Sequence, residues 1–539
     1  MRRQLLTMAL LAYIPIVAQT PVTDGPDWTV TNLTSDSHLD YPNTILYGPD
    51  GSLWITERVG KKVVKVSTAG GSKTTMLDLS GVVHQSVTQD GLMGMAIHPD
   101  LYADINTLTN NYVYLVYTYD DDPGSGLDRK LRIARYSYNS GTGNLDSASA
   151  YTVIDNIEAG NDHNSGKIVI GPDLKLYWTI GDHGSNRGGN ACNEIRAQYL
   201  PTSNSDYSDY KGKTLRLNLD GTIPTDNPTL NSVKSHVYSY GHRNAQGLVF
   251  GSNGKLYSSE HGDKTDDEIN IIESGKNYGW PLIAGYNDDS GYAYCNWSSY
   301  PGTGTGTCDD YDSNSCPGSY IDESTSGASI SDFMPPIGTY NSTIASEPTG
   351  GWLTWPTVAP ASIDIYEGGK IPGWGESLLI PTLKAGMILR TKLNVAGDGL
   401  DSTTYEEFHS SNDRYRDIAF DPDGVTIYAI TDIRSGMDNQ GVVMKIQYSG
   451  VTLSNDFHDK NEFSMVPNPT RNSTHISFNF RAYTSLDLFV YDIHGRTVQH
   501  IKNINSNYDL KTTNLSNGLY FVKLKNNNKE IATGKLVIQ

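Results

Sequence analysis

The sequence predicts an all-β protein: a six-bladed β-propeller followed by a small C-terminal β-sandwich. Three observations lead there. The 539 residues include 35 Tyr and 53 Gly, without long Leu/Ala/Glu/Lys runs, a composition of strands and turns. A turn resembling Pro-Asp-Gly followed by an alternating strand recurs at 49–56, 171–179, 252–258 and 421–428, at spacings near multiples of about 40 residues, as in propellers. The charge also changes sign near the C-terminus. Residues 451–539 hold 10 Lys/Arg against 7 Asp/Glu, and the remainder 31 against 53, so +3 follows −22 and marks a domain boundary. A large sandwich array is the alternative architecture.

Taken in order, residues 1–18 read as a secretory signal. Arg2 and Arg3 precede an uncharged, mostly apolar stretch at 5–17, and Ala18 is a small residue for cleavage. The stretch falls short of the about 20 apolar residues of a membrane-spanning helix. Residues 19–450 suit six blades with long insertions, and the Gly/Ser/Asp/Tyr-rich segment 286–331 is one such insertion. Residues 451–539 alternate through Ile476, Phe478 and Phe480, then Leu486, Leu488 and Val490, turn at His494 and Gly495, and end in strands at 518–524 and 535–539. That pattern predicts the sandwich. Four cysteines allow three pairings. The short loop between Cys308 and Cys316 makes that pair the expectation, and the spacing matches no zinc motif. A net charge of −19 argues against nucleic acid and anionic membrane as partners, because phosphate binding needs a basic surface.

Propellers carry sites on loops at one mouth of the channel, so residues just past strand ends are the candidates. Asp162 and His163 lie in a glycine-flanked loop before a strand, and Asp182 ends the next one. A histidine held by a carboxylate is a general base near neutral pH, and the two Asp-His pairs also suit metal ligation. Arg243 with Asn244, Lys384, and Arg414 with Arg416 place cations at strand ends of an acidic protein, which points to an anionic ligand. The oxygen-rich stretch 260–268, with Gly262, Asp263 and Glu268, offers carboxylates and carbonyls to Ca²⁺ but lacks EF-hand spacing. Trp352, Trp355 and Thr357 lie among Pro turns, where an indole stacks on a sugar or planar cofactor. Singly, each also fits a bland role: a loop histidine, surface ion pairs, a solvated turn, core tryptophans.

Together, and in this order, the segments QDGLMGMAIHPD (89–100), DHNSGKIVIGPD (162–173), KTLRLNLDG (213–221), GHRNAQG (241–247), DDEIN (266–270), NYGWP (277–281), AGYNDDSGY (284–292), WPTVAP (355–360) and RYRD (414–417) resemble the PQQ-dependent aldose (glucose/sorbosone) dehydrogenase family. The resemblance implies a six-bladed propeller binding pyrroloquinoline quinone (PQQ) and Ca²⁺. It implies oxidation of an aldose at C1 to the lactone, with His163 as base and hydride passing to the quinone C5. Asp182 would orient His163. Arg243 would polarise the C5 carbonyl beside Asn244. Lys384, Arg414 and Arg416 would clamp the quinone, with Thr357 and Gln89 lining its pocket. Asp162, Arg187, Trp352 and Trp355 fall on the substrate side. Gly262 and Asp263 would offer carbonyls to the catalytic Ca²⁺, while Glu268, Ala284, Tyr286 and Asp288 match a structural Ca²⁺ region near a dimer interface. Three positions depart from the family pattern: Arg187 replaces Gln, Trp352 replaces Tyr, and Asp263 replaces Pro. Residues 294–331 differ altogether. The expected partners are an aldose, an external electron acceptor and, through the tail, secretion machinery, with a homodimer allowed. The tail motifs VPNPT (466–470), YDIHGR (491–496), LSNGLYFVKL (515–524) and KLVIQ (535–539) resemble a type IX secretion sorting domain, so the protein is expected to be exported. The competing functions are a Ca²⁺-dependent propeller lactonase and a non-catalytic sugar-binding propeller.

Overall fold

Each recurrent turn sits between the first and second strands of a sheet, and an Asp or Asn side chain explains why. Asp50 accepts from the Ser52 amide and the Trp54 indole. Asp173 accepts from the Lys175 amide and the Tyr177 hydroxyl. Asn253 accepts from the Lys255 amide and donates to the Tyr257 hydroxyl. The residue thus closes its turn and anchors the aromatic four positions on, which is buried in the sheet.

The computed structural model describes residues 21–34, 38–86, 89–289, 293–312, 315–327, 330–340, 347–402, 404–432, 441–450, 463–478, 486–504, 507–526 and 529–539. The expected signal peptide and Phe480 lie outside them. The chain divides into two compact units, Met1–Val451 and Thr452–Gln539. Among the described residues, the first unit carries six four-stranded antiparallel sheets. Their first strands are Pro42–Tyr47, Leu92–Ile97, Ile168–Ile170, Ala245–Phe250, Asp364–Tyr366 and Tyr415–Phe420. Each neighbours the next, and the last returns to the first, which is a closed propeller ring. Ring closure is covalently economical. The outer strand of the last sheet is Trp28–Asn32, from the opposite end of the unit, paired in register with Val443–Tyr448. The last sheet is therefore closed by strand pairing between the two ends of the unit. Buried aliphatic and aromatic residues pack between neighbouring sheets; one cluster runs from Met93 and Tyr114 to Trp178 and Leu215.

The second unit has two sheets. One contains Phe463–Val466, Ser473–Phe478 and Tyr508–Lys511; the other contains Thr497–Ile504, Leu486–Asp492, Gly518–Asn526 and Lys529–Ile538. Ile476 and Leu510 from the first meet Leu488, Val522 and Leu536 from the second in one core. No helix among the described residues is long and apolar enough to cross a membrane.

The cysteine expectation is corrected. Cys308 pairs with Cys192, and Cys295 pairs with Cys316. Short spacing favours a local bridge only when the loop folds back on itself; here the insertion folds onto the loop after Asp182 instead.

That loop is held by a fully buried lysine. Lys213 Nζ donates to the carbonyl oxygens of Arg196, Ala197 and Lys211, at 3.1, 2.9 and 2.6 Å. Burial pushes its ammonium down to about 7. Between about pH 7 and pH 10 the unfolded chain then binds a proton that the folded protein does not, so this group makes stability rise with pH. Lys213→Met is expected to lower stability at pH 7 by about 2 kcal/mol, because the Lys211 carbonyl loses its donor while those of Arg196 and Ala197 keep the Tyr199 and Gly241 amides. It is also expected to remove this rise, so that denaturant midpoints of the two proteins diverge further at pH 9.

Candidate active site

Hairpin geometry builds the centre of the site. Strand Ile168–Ile170 pairs with Lys175–Ile180, so the residues preceding the first strand and following the second arrive together. His163 and Asp182 are those residues. His163 Nδ1 lies 2.7 Å from Asp182 Oδ1. A carboxylate only accepts, so Nδ1 carries the proton and Nε2 is left as the basic nitrogen. Asp182 is fixed further by the Gly184 amide at 2.9 Å and the Trp280 indole N–H at 3.0 Å. Burial pushes the Asp182 carboxyl up. The charge and hydrogen bond of His163, together with Arg243 and the Gly184 amide, outweigh it, and the net result lies below the ordinary carboxylate value. Asp182 is therefore ionised at neutral pH.

The backbone here is crowded and strained. His163 has φ 46°, in the left-handed region. Gly181 is required beside it, since a Cβ there would stand 2.2 Å from the His163 carbonyl oxygen. The Asp182 amide donates to the Arg243 carbonyl at 2.8 Å, which ties this hairpin to the next sheet. Asp162 caps the turn by accepting from the His163 amide at 3.0 Å.

Cations surround this centre. Arg243 Nη2 donates to Asp263 at 3.1 Å, and its amide donates to Glu260. Arg187 grips the same Asp263 carboxylate at 2.5 Å and lies over the Trp355 ring, 4.9 Å from its centroid. Asn244 accepts from Ser165 at 3.0 Å and from Gln246 at 2.8 Å, and Gln246 also donates to Gln89 at 3.2 Å. Arg416 donates to Gln246 at 3.1 Å. Burial pushes the Arg416 guanidinium down to about 10, with Arg58 and Arg414 adding to the effect and Asp432 opposing it. Asp432 has Arg58 at 3.7 Å and Arg414 at 3.9 Å. Lys384 donates to the Trp355 carbonyl at 2.7 Å and to Thr357. Burial lowers the Lys384 pKa, against the attraction of Asp267. Trp352 is largely exposed, and its carbonyl accepts from Lys384 at 3.4 Å.

The acidic stretch forms a second cluster. Glu268 accepts from the Gly285 amide at 3.0 Å and from Asn270 at 2.8 Å. Burial, and then the neighbouring Glu260, hold its carboxyl well above the usual range. Burial likewise raises Asp266 to about 6. A small cavity touches Glu260, Gly262, Asp263, Asp266, Glu268 and Ala284. Tyr286 follows, its carbonyl accepting from the Asp288 amide at 3.0 Å; the Asp288 amide also donates to Glu323 at 2.9 Å. Crowded buried carboxylates of this kind call for either protons or a cation. One group of three close His, Cys, Asp or Glu ligand atoms is found among the described residues: Cys192, Cys308 and Asp309. Its cysteines are joined in a disulfide.

The structure thus gathers His163, Asp182, Arg187, Arg243, Asp263 and Trp355 in one place, links Gln89, Asn244 and Arg416 through Gln246, and joins Lys384 to Thr357. Three contributors were not legible as candidates. His261 is half-buried with its Nε2 shut off from solvent; desolvation and then the charges of His163, Arg243 and Arg416 hold it well below the usual imidazole value, hence neutral. Arg58 joins the cations around Asp432, and Trp280 bonds Asp182. His261 lies in the oxygen-rich stretch 260–268 and Trp280 in the segment 277–281, while nothing in the sequence singled out Arg58. Arg243 Nε and His261 Nε2 are buried without a hydrogen-bond partner. Together with three guanidinium groups that have Asp432 and, for Arg416, Asp417 as countercharges, these atoms fit a bound planar polyanion.

Residues 39–310 and 336–443 match the glucose/sorbosone dehydrogenase family, and residues 464–539 match the secretion system C-terminal sorting domain. The chain is 39% identical over 444 residues to quinoprotein glucose dehydrogenase B of Acinetobacter calcoaceticus, covering 76% of this chain and 90% of that one. It is 25% identical to an aldose sugar dehydrogenase of Escherichia coli, covering 78% and 95%. Among solved structures, the PQQ-bound aldose sugar dehydrogenase of Streptomyces coelicolor superposes with a TM-score of 0.53 at 25% identity, covering 78% and 98%.

Proposed function

The chain belongs to the glucose/sorbosone dehydrogenase family, with a C-terminal secretion sorting domain, and from this we propose that it is an exported PQQ- and Ca²⁺-dependent aldose dehydrogenase. The observation that carries the reading is the His163–Asp182 pair set inside a rim of cations. His163 Nε2 takes the proton of the C1 hydroxyl, and ionised Asp182 stabilises the imidazolium that results. Arg58, Arg414 and Arg416 supply positive charge for the carboxylates of PQQ, and Lys384 adds a fourth cation held by Thr357. Arg243 places its guanidinium where negative charge develops. When bound, PQQ supplies the two-electron acceptor, and Ca²⁺ a Lewis-acidic charge beside it. The carbonyls of Gly262 and Asp263, beside buried carboxylates, would hold the catalytic cation. Glu268, Ala284, Tyr286 and Asp288 would hold a structural one, since Ca²⁺ takes oxygen ligands of mixed type. On the substrate side stand Asp162, Arg187, Trp352 and Trp355. A lactonase or a sugar-binding propeller makes no use of the cationic rim. The tail directs the protein to secretion machinery, and reduced cofactor needs an external acceptor.

The test is direct. The full chain, given PQQ, Ca²⁺ and glucose or other aldoses, is expected to bleach an artificial dye acceptor. Omitting PQQ, or chelating Ca²⁺, should abolish bleaching. Absence of PQQ binding would overturn the assignment.

A further inference from the structure

Two of the three positions that depart from the family pattern meet each other in the structure. Arg187 grips the Asp263 carboxylate with one edge of its fork: Nη2 reaches Oδ2 and Nε reaches Oδ1, each at 2.5 Å. Arg243 Nη2 donates to the same Oδ1 at 3.1 Å. One carboxylate is thus shared between a guanidinium particular to this chain and the guanidinium assigned to developing negative charge. The contact follows from hairpin geometry. Arg243 precedes strand Ala245–Phe250, Asp263 follows Leu256–Glu260, and these strands pair, so both residues emerge at the same end. Arg187 follows Asp182 out of the neighbouring hairpin.

Both arginines are braced. Asn186 donates to the Cys295 carbonyl at 2.7 Å and accepts from the Ser298 amide at 2.9 Å, and Cys192–Cys308 anchors the far end of the loop. The insertion therefore holds the backbone on both sides of Arg187, whose guanidinium lies over the Trp355 ring. Arg243 lies over the Trp280 ring, 5.4 Å from its centroid. Trp280 bonds Asp182, so a line of contacts runs from Arg187 through Asp263, Arg243 and Trp280 to the Asp182–His163 pair. Asp263 and Arg243 are buried and Arg187 is half-buried, so solvent ions screen these charges less than surface pairs.

The charge count decides what this arrangement does. Asp263 alone beside Arg243 would cancel the positive charge that the chemistry uses. Arg187 restores it: two guanidinium groups and one carboxylate leave one net positive charge, the same as Arg243 beside the uncharged Gln and Pro of the family pattern. What the added pair changes is aim. Fixing an arginine side chain costs about 2 kcal/mol of rotamer entropy. A carboxylate that is itself held by a second fork removes that freedom before the reaction begins. We propose that Asp263 is a positioning residue that aims Arg243, and that Arg187 is the counter-ion that keeps Asp263 from cancelling the charge it aims, so that the two act as one unit setting the reduction potential of the bound quinone. The inference rests on the PQQ-dependent reading.

The test uses the full chain loaded with PQQ and Ca²⁺, and reads the midpoint potential of the bound cofactor by spectroelectrochemical titration at fixed pH, without sugar. Arg187→Gln leaves the Asp263 charge to Arg243 alone. It is expected to favour the oxidised cofactor by about tenfold, a midpoint lower by about 30 mV for two electrons. Asp263→Asn keeps the backbone carbonyl, leaves an extra positive charge, and is expected to favour the reduced cofactor by about as much. Arg187→Lys, which keeps the charge, should keep the parent midpoint. The double variant Arg187→Gln/Asp263→Asn has the parent's net charge, so its midpoint should return to within about threefold of the parent's ratio. Its kcat in dye reduction, with the aldose that the parent oxidises fastest, should still fall about tenfold, because the aim is not restored. Unshifted midpoints in both single variants, shifts of one sign, or a double variant with the parent's kcat would overturn the inference. Arg187→Gln and Arg187→Lys decide the sign even where Asp263→Asn does not fold. A parent that binds no PQQ would refute the dehydrogenase reading, and the inference with it.

Discussion

Asp182→Asn is expected to lower kcat for aldose oxidation by about 10²–10⁴-fold, with cofactor affinity little changed. Asp182 acts on the reaction only through His163: its Oδ1 accepts the Nδ1 proton at 2.7 Å, which leaves Nε2 basic. Asparagine keeps the size of the side chain but can present an N–H₂ group to Nδ1. That favours the tautomer with its proton on Nε2, where the base is needed. It also removes the negative charge that stabilises the imidazolium. In that orientation the Trp280 indole holds the amide oxygen at the Oδ2 position, and the Gly184 amide, which shares Oδ1 with His163, loses its acceptor, a single backbone hydrogen bond whose loss the fold should survive. His163→Ala should cost about as much, and the double variant little more than His163→Ala, because the two residues act as a unit. Steady-state dye reduction, with PQQ titrated separately, reads both quantities. A variant within a factor of ten of the parent would remove Asp182 from the mechanism.

The His163–Asp182 contact was legible for a simple reason. Both residues flank one hairpin, and short-range antiparallel pairing brings such positions together whatever the rest of the chain does. The recurrent turns were legible for a similar reason, since Asp50, Asp173 and Asn253 each act within four residues. What escaped depends on contacts between distant sheets or long insertions. Cys192 meets Cys308 across 116 residues, and nothing local in 308–316 announces it. Asp263 was legible as a turn residue with a carbonyl to offer. Its carboxylate bridging Arg187 and Arg243 requires knowing where two other loops end. Arg58 follows the second strand of the first sheet and meets Asp432, which follows the second strand of the last, only because the ring closes.

The same closure leads to a prediction in which stability and binding move in opposite directions. Arg416→Met is expected to stabilise the cofactor-free protein by about 1–3 kcal/mol and to weaken PQQ binding by about 10²–10³-fold. Arg416 is buried, with Arg58 and Arg414 as neighbours and Asp432 as shared countercharge. Asp432, with Asp417 already paired to Lys167, does not compensate three guanidinium groups, and burial is the largest cause of the lowered Arg416 pKa. In the absence of an anionic ligand this charge is a cost, and a methionine of similar length removes it while retaining packing. With PQQ bound, the sign reverses. The ligand's carboxylates then meet a desolvated, preorganised cation, and truncating one partner of such a pair forfeits most of its attraction. Gln246, which accepts from Arg416 at 3.1 Å, would lose this donor, and its own hydrogen bonds to Asn244 and Gln89 limit the damage. Thermal melts with and without PQQ make the comparison: the variant should start higher and gain less on adding cofactor. Loss of stability in the cofactor-free variant, or an unchanged Kd for PQQ, would show that the rim is structural, and the cationic part of the cofactor site would have to be sought elsewhere.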